Sequence, residues 1–294
     1  MDYFIQQLLN GVKYGSILAL IAIGYTMVYG IIKLINFAHG DIMMVGAYLS
    51  YIFLVNFPID LPVVVVIAIV MALGALVGII IERLAYRKLR NAPRISALIT
   101  AIGVSLLLES LAQKIFTATP KVQVNIFGGA PINILGFDVS QLTLYTIIIS
   151  IVMMILLTLF VHKTKPGKAM RAVSQDQDAA RLMGINVNRV ISLTFALGSG
   201  LGALAGIFYS VAYVNIEPYM GMMPGLKAFI AAVLGGIGNI GGAVLGGFII
   251  GISETLTKTY ISTQWADALV FVILIIVLLV KPSGMLGKNV KEKV

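Results

Sequence analysis

The residues able to do chemistry in this 294-residue chain are few, and their spacing points away from catalysis. His39 and His162 are its two histidines, nothing in the order of residues brings them together, and no metal site is expected. Cysteine is absent, which excludes disulfides, thiolate ligands and cysteine nucleophiles. The nearest approach to a phosphate-binding loop is Pro166-Gly167-Lys168-Ala169. It lacks the first glycine and the hydroxyl of G-x-x-x-x-G-K-[ST], so the chain carries no phosphate-binding loop of that kind. No nucleophile, base and orienting group recur at a catalytic spacing, and the chain is read as non-enzymatic, with no cofactor of its own.

What remains suits movement across a barrier. Glu109, within Leu106 to Gln113, is the clearest ionisable residue inside an apolar run, and such a residue is costly enough to call for a role. Gating or contact with a partner is one reading; reaching water from the outer third of its helix is the other. Asn36, His39 and Gly40 fall between the first two apolar runs. Gly40 permits a break there, and backbone freed by it could line a path if sheltered by protein. A helical corner in which Asn36 and His39 cap exposed backbone is the simpler reading and is favoured. Gly235, Gly236 and Asn239, in a second break, are further candidates for the path or its gate. The small-residue face of Gly198, Gly200, Gly202, Ala205 and Gly206 suits close helix packing more than substrate contact.

These residues need elements to hold them, and the composition says which. The chain is 59% hydrophobic and 11% charged, with a mean hydropathy of +1.00, more apolar than a water-soluble fold could cover. The expected fold is all-α, a polytopic helical bundle forming a single domain. Spans are predicted at 8–32, 42–57, 61–81, 95–116, 142–161, 190–214 and 264–280. Residues 226–252, split by Gly235-Gly236-Ile237-Gly238-Asn239-Ile240-Gly241-Gly242, read as a glycine-broken helical hairpin. That makes seven full crossings plus the hairpin. Met1 to Asn10 has no Lys or Arg before its apolar run, so the first span is expected to be retained. No internal repeat is visible in the sequence.

The net charge of +9 does not indicate nucleic acid, because the basic residues sit between apolar spans. They set orientation instead. The loops 82–94 and 162–189, with Lys33, Lys281, Lys288, Lys291 and Lys293, hold 16 of the 21 lysines and arginines. Basic loops stay in the cytoplasm, which puts the N-terminus outside and the C-terminus inside. Residues 117–141, 215–225 and 253–263 become outer loops. Trp265 and Tyr260 fall at the outer edge of the last span, where amphipathic rings prefer to sit.

The inner segment 163–189 is too long for a tight connector and predicts a short surface helix. Ser174, Asp176 and Asp178 favour its start, Ala179-Ala180-Arg181-Leu182-Met183 its body, and Gly184 its end. A rigid element projecting between two spans is what a separate motor subunit could grip; a solvated amphipathic loop is the plainer alternative.

Here the chain resembles a known family. Asp178-Ala179-Ala180-Arg181-Leu182-Met183-Gly184 is similar to the E-A-A-x-x-x-G pattern that marks the coupling helix of ABC-importer permeases, with Asp in place of Glu and without the I-x-L-P that often follows. Asn36-Phe37-Ala38-His39-Gly40 followed by Gly46-Ala47-Tyr48 resembles the N-x-A-H-G and G-A-Y pattern of the LivH family of branched-chain amino acid permeases. So do Gly167-Lys168-Ala169-Met170-Arg171-Ala172, Leu234-Gly235-Gly236 and Gly241-Gly242-Ala243-Val244-Leu245-Gly246-Gly247. The resemblance implies a plasma-membrane importer of leucine, isoleucine or valine. It also implies a second homologous permease, two cytoplasmic ATPases that use ATP and Mg, and an extracytoplasmic binding protein. Gly167, Arg171, Ala172, Asp176, Asp178, Ala179, Ala180 and Gly184 would then carry the ATPase coupling. Related permeases carry urea or other amino acids. An ion-coupled secondary transporter would want more ionisable groups within the spans than Glu109 alone.

Overall fold

The computed structural model describes residues 2–34, 36–56, 61–90, 92–134 and 136–287. Lys288, Lys291 and Lys293 of the basic tail, and the end of the span predicted at 42–57, lie outside the described residues. Helix α1 (Asp2–Ile32) is followed by α2 (His39–Tyr51), which a π-helical turn prolongs over Ile52–Asn56. Helix α3 (Val63–Ile81) continues through a π turn (Glu82–Tyr86) and a 3-10 turn (Arg87–Leu89), and α4 (Arg94–Phe116) comes next. A small antiparallel hairpin, β1 (Ile132–Ile134) and β2 (Phe137–Val139), leads into α5 (Gln141–Lys163). The chain ends with α6 (Lys165–Gln175), α7 (Gln177–Leu182), α8 (Val187–Tyr213), α9 (Met222–Gly235), α10 (Ile240–Tyr260) and α11 (Thr263–Val280).

Among the described residues seven helices are long and apolar enough to cross a membrane: α1, α3, α4, α5, α8, α10 and α11. The number matches the sequence expectation, but the membership differs. The run predicted at 42–57 is the 13-residue α2 with its π turn, and the 21-residue α10 takes its place. Residues 253–263, where Lys258 stands against Glu254, are expected as an outer loop. Instead α10 carries through them to Tyr260, since Glu254 pairs with Lys258 one turn on and with Lys227 of α9.

Helices α1 and α8 form the buried centre of the bundle, with α10 and α9 packed on α1, and α3 and α2 on α8. Close approach of α1 and α10 depends on glycine: a Cβ at Gly15 would stand 2.9 Å from the Phe248 Cα, and one at Gly251 would stand 2.3 Å from the Gly15 Cα.

Each of these two central helices ends in the same way. Lys33 after α1 (φ 57°) and Val214 after α8 (φ 54°) take left-handed backbone, uncommon for such residues, and turn the chain back into the bundle. A short reversed helix then starts at depth. The His39 ring, at the start of α2, lies against Gly24, eight residues and about 12 Å before the end of α1. The start of α9 lies at the same level: a Cβ on Gly40 would be 2.5 Å from the Gly221 carbonyl oxygen and 3.0 Å from the Gly225 Cα. From this meeting point α2 runs along α8, with Gly46 against Ala203 and Gly206 against Met43, while α9 runs along α1, bringing Gly238 to Gly30. The pairs α1–α2 and α8–α9 are thus inverted copies of one arrangement, which the sequence itself did not show. Of the segments leading to α2 and α9, Asn36, Ala38, Ile216 and Met220 are buried, while Val214 and Tyr219 are exposed.

The surface element at 163–189 is two helices, not one. Thr164 Oγ1 accepts from the Gly167 amide (3.1 Å) to start α6. Asp176 Oδ1 accepts from the amides of Asp178 (2.9 Å) and Ala179 (3.0 Å) to start α7, and Gly184 ends the motif with φ 80°. Ser174, expected at a helix start, lies inside α6 and donates to the Arg171 carbonyl (2.7 Å).

Candidate functional site: a projecting helix pair and a junction of two half-helices

At one end of the bundle, α6 turns Gly167, Met170 and Val173 inward, and α7 turns in Ala180. The fold-back of α6 over the end of α5 needs glycine at 167, where a Cβ would meet the Phe160 carbonyl oxygen at 2.2 Å. Arg171 Nη2 reaches the His162 carbonyl at 3.5 Å, and Gln177 Nε2 donates to the Ile31 carbonyl of α1 at 3.4 Å. The predicted coupling residues therefore form one unit. Gly167, Arg171 and Ala172 lie on α6, Asp176 caps α7, Asp178, Ala179 and Ala180 lie on α7, and Gly184 closes it. Asp178 and Arg181 pair in the open at 3.2 Å. Beyond them Leu182 and Met183 are 89% and 82% exposed, two large apolar side chains at the tip of a polar element.

Inside the bundle, the structure corrects the reading of Asn36 and His39 as caps. No side chain caps α2, whose N-cap is Ala38. Asn36 is buried, and its Oδ1 accepts from the Tyr86 hydroxyl at 2.8 Å. The His39 ring fills the recess left by Gly24 and Gly202 and stands edge-on to Tyr25, centroids 4.8 Å apart. Asp41 sits in the first turn of α2, buried, where the positive end of the helix favours a carboxylate, and Ser105 of α4 donates to it. Glu109, one turn beyond Ser105 on α4, is only 7% exposed, so it is packed inward and does not reach out to water.

The second glycine break is the turn between α9 and α10. Gly236 takes φ 101°, and Asn239 Oδ1 caps α10 by accepting from the Gly242 amide at 3.1 Å. The C-terminal segment straps this turn: the Met285 and Leu286 amides donate to the Leu234 and Gly235 carbonyls (2.8 and 3.0 Å), and Asn239 Nδ2 donates to the Leu286 carbonyl (3.0 Å). A small cavity lined by Tyr29, Asn36, Phe229 and Ile237 separates the turn from the segment that starts α2. Asn36, His39 and Gly40 are thus one cluster and Gly235, Gly236 and Asn239 a neighbouring one, while Glu109 lies one turn along α4 from Ser105, which bonds Asp41.

Two charged clusters escaped the sequence reading, which took Glu109 as the clear intramembrane charge. Lys227 of α9, almost fully buried, bonds Glu254 of α10 (2.7 Å) and Asp267 of α11 (2.6 Å), and Lys258 also reaches Glu254. At the opposite end Glu82, fully buried in the π turn after α3, pairs with Arg87 and Arg90 and accepts from Ser192 of α8 at 2.6 Å. Arg90 also donates to Asn188 at 2.6 Å, so this cluster joins α3 to the start of α8, the helix that follows α7. The missed signal was Lys227 itself, a lone cation in the apolar run Gly225-Leu226-Lys227-Ala228, which required a buried acid nearby.

Comparison with known proteins agrees with this architecture. Residues 7–278 match the family model described as branched-chain amino acid transport system, permease component. The chain is 44% identical over 302 residues to the high-affinity branched-chain amino acid transport system permease protein LivH of Escherichia coli (strain K12), covering 99% of this chain and 98% of that protein. It is 39% identical over 304 residues to the permease protein BraD of Pseudomonas aeruginosa, with the same coverage. A ribose import permease, RbsC of Haemophilus influenzae, is 26% identical over 294 residues, covering 94% of this chain and 86% of that one. With the family model spanning nearly the whole chain and full-length relatives well above 30% identity, this multi-pass helical protein belongs to the permease component family of branched-chain amino acid transport systems.

Proposed function

We propose that this chain, paired with a second homologous permease, forms the path by which leucine, isoleucine or valine enters the cytoplasm. Energy comes from ATP hydrolysed, with Mg, by two ATPase subunits that grip α6 and α7, and an extracytoplasmic binding protein delivers the amino acid. In this reading the N-terminus lies outside and the C-terminus inside, supported by the excess of basic residues around 82–94 and 162–189.

The observation that carries this reading is the exposed pair Leu182 and Met183 at the end of α7, flanked by Asp178 and Arg181. Large apolar side chains standing in water on a capped helix mark a docking surface, here with a charged rim. Force applied there has a physical route inward. Gln177 touches the end of α1, and the Glu82 cluster ties α8 to the π turn after α3, whose Tyr86 holds Asn36 at the entry to α2. The mobile part of the path is then the junction of α2 and α9, where Gly40 and Gly221 bring two helix starts into contact.

Copurification tests the assignment. The tagged chain should bring down a second permease and two ATPase chains, and ATP hydrolysis by that assembly should rise when leucine-loaded binding protein is added. Purification of the chain without any ATPase, under conditions that keep it folded, would remove the basis for the coupling role.

A further inference from the structure

From the wall of the bundle between α3, α5 and α8, we propose a binding site for one anionic diacyl phospholipid, its phosphate held by arginines and one acyl chain laid into an apolar groove.

The groove has a volume of about 450 Å³ and is lined by Met71, Ala75, Leu157, Phe160, Ala196 and Gly200. These residues lie on helices long and apolar enough to span, so the groove opens toward hydrocarbon. Directly below it, sharing Ala196, lies a second cavity of about 480 Å³ lined by Arg83, Arg87, Asn188, Arg189 and Ser192. The apolar groove therefore leads straight into a basic one at the end of the bundle that carries α6 and α7.

Charge and length both select the occupant. Among the described residues Arg83 and Arg189 take part in no ion pair, and Glu82 is already engaged by Arg87 and Arg90. Two guanidinium groups are thus left uncompensated at the mouth, and the planar donor fork of arginine matches phosphate oxygens two at a time. From Arg189 to Leu201 on α8 the combined cavity runs about 18 Å at 1.5 Å per residue. Half of a hydrocarbon core is about 15 Å, the reach of one acyl chain below its headgroup. A basic pocket between spanning helices at one leaflet, continuous with an apolar slot of that depth, fits a negatively charged phospholipid and not a neutral one.

The test uses the chain purified with the subunits that accompany it, exchanged into nanodiscs of equal phosphatidylglycerol and phosphatidylcholine, and read by native mass spectrometry. One phosphatidylglycerol should be retained in preference to phosphatidylcholine. Replacing both outer arginines (Arg83→Gln with Arg189→Gln) should lower that retention about thirtyfold. Ala72→Phe, at the exposed lip of the groove, should lower it comparably with every arginine intact. Glycerol phosphate, the headgroup without chains, should not compete. Equal retention of the two lipids by the unaltered chain overturns the proposal, as does retention unchanged in both variants. Competition by glycerol phosphate would reduce the site to an anion pocket, and a cross-link from the second permease to cysteine placed at Ala75 would assign the groove to that subunit; either result overturns it.

Discussion

Replacing Lys227 by methionine is expected to destabilise the protein by about 3 kcal/mol, the low end of the range for breaking a buried ion pair. Lys227 bonds two carboxylates that come from different helices, Glu254 of α10 and Asp267 of α11. Asp267 has 46% of its side chain exposed and can turn to water. Glu254 cannot, since its side chain is fully buried. After the substitution its remaining cation is Lys258, 41% exposed, which keeps the cost from rising further. The prediction has a built-in control. Combining Lys227→Met with Glu254→Gln removes the orphaned charge, and the double variant should regain more than half of the loss in thermal midpoint. Identical midpoints for the single and double variants would show that the two residues do not act as a pair.

The substitution pair Leu182→Glu and Met183→Glu should leave the folded, membrane-inserted chain unchanged and abolish most transport. Both side chains stand in water, so charging them adds no burial cost within the chain itself. Fully burying a Leu or Met side chain is worth about 1.5–3 kcal/mol, so losing both at the ATPase interface should lower uptake by more than about tenfold. The measurement is ATP-driven uptake per inserted molecule, with thermal stability followed in parallel. Normal uptake would mean that the tip of α7 does not receive the ATPase. A fall in uptake with an equal fall in stability would mean that the variant acts on folding.

The contrast between these two sites shows what the order of residues can and cannot reveal. The α7 element was legible because its determinants are local: Asp176 caps the helix, alanines fill it and Gly184 stops it within a few residues. Its partner α6 was missed, since its inward face of Gly167, Met170 and Val173 is a short pattern without a strong run of apolar residues. The long spans were legible from hydropathy, and the basic loops from charge. The depth at which α2 and α9 begin was not. It depends on left-handed turns at Lys33 and Val214, residues with no marked preference for that backbone, and on contact between Gly40 and Gly221, far apart in the chain.

Buried charge was misread for the same reason. Glu254 follows Ser253 and precedes Thr255, a polar stretch that resembles a loop until Lys227, 27 residues earlier, is brought against it. Asp41 gains its partner only because α4 lays Ser105 beside the first turn of α2. The shortage of intramembrane charge that seemed to argue against ion coupling therefore does not exist, and that argument lapses. Family membership, the projecting helix pair and the exposed apolar tip of α7 stand without it.

On the proposed reading, force from a separate ATP-hydrolysing subunit enters through α6 and α7 and moves a branched-chain amino acid inward. The most direct measurement is uptake of labelled leucine into proteoliposomes holding the purified assembly, with binding protein outside and either ATP or ADP trapped within. Accumulation with ATP, and none with ADP or with the assembly stripped of its ATPases, is the predicted result. Leucine accumulation driven by an ion gradient in the absence of the ATPases would show that α6 and α7 are not the entry point for the driving force.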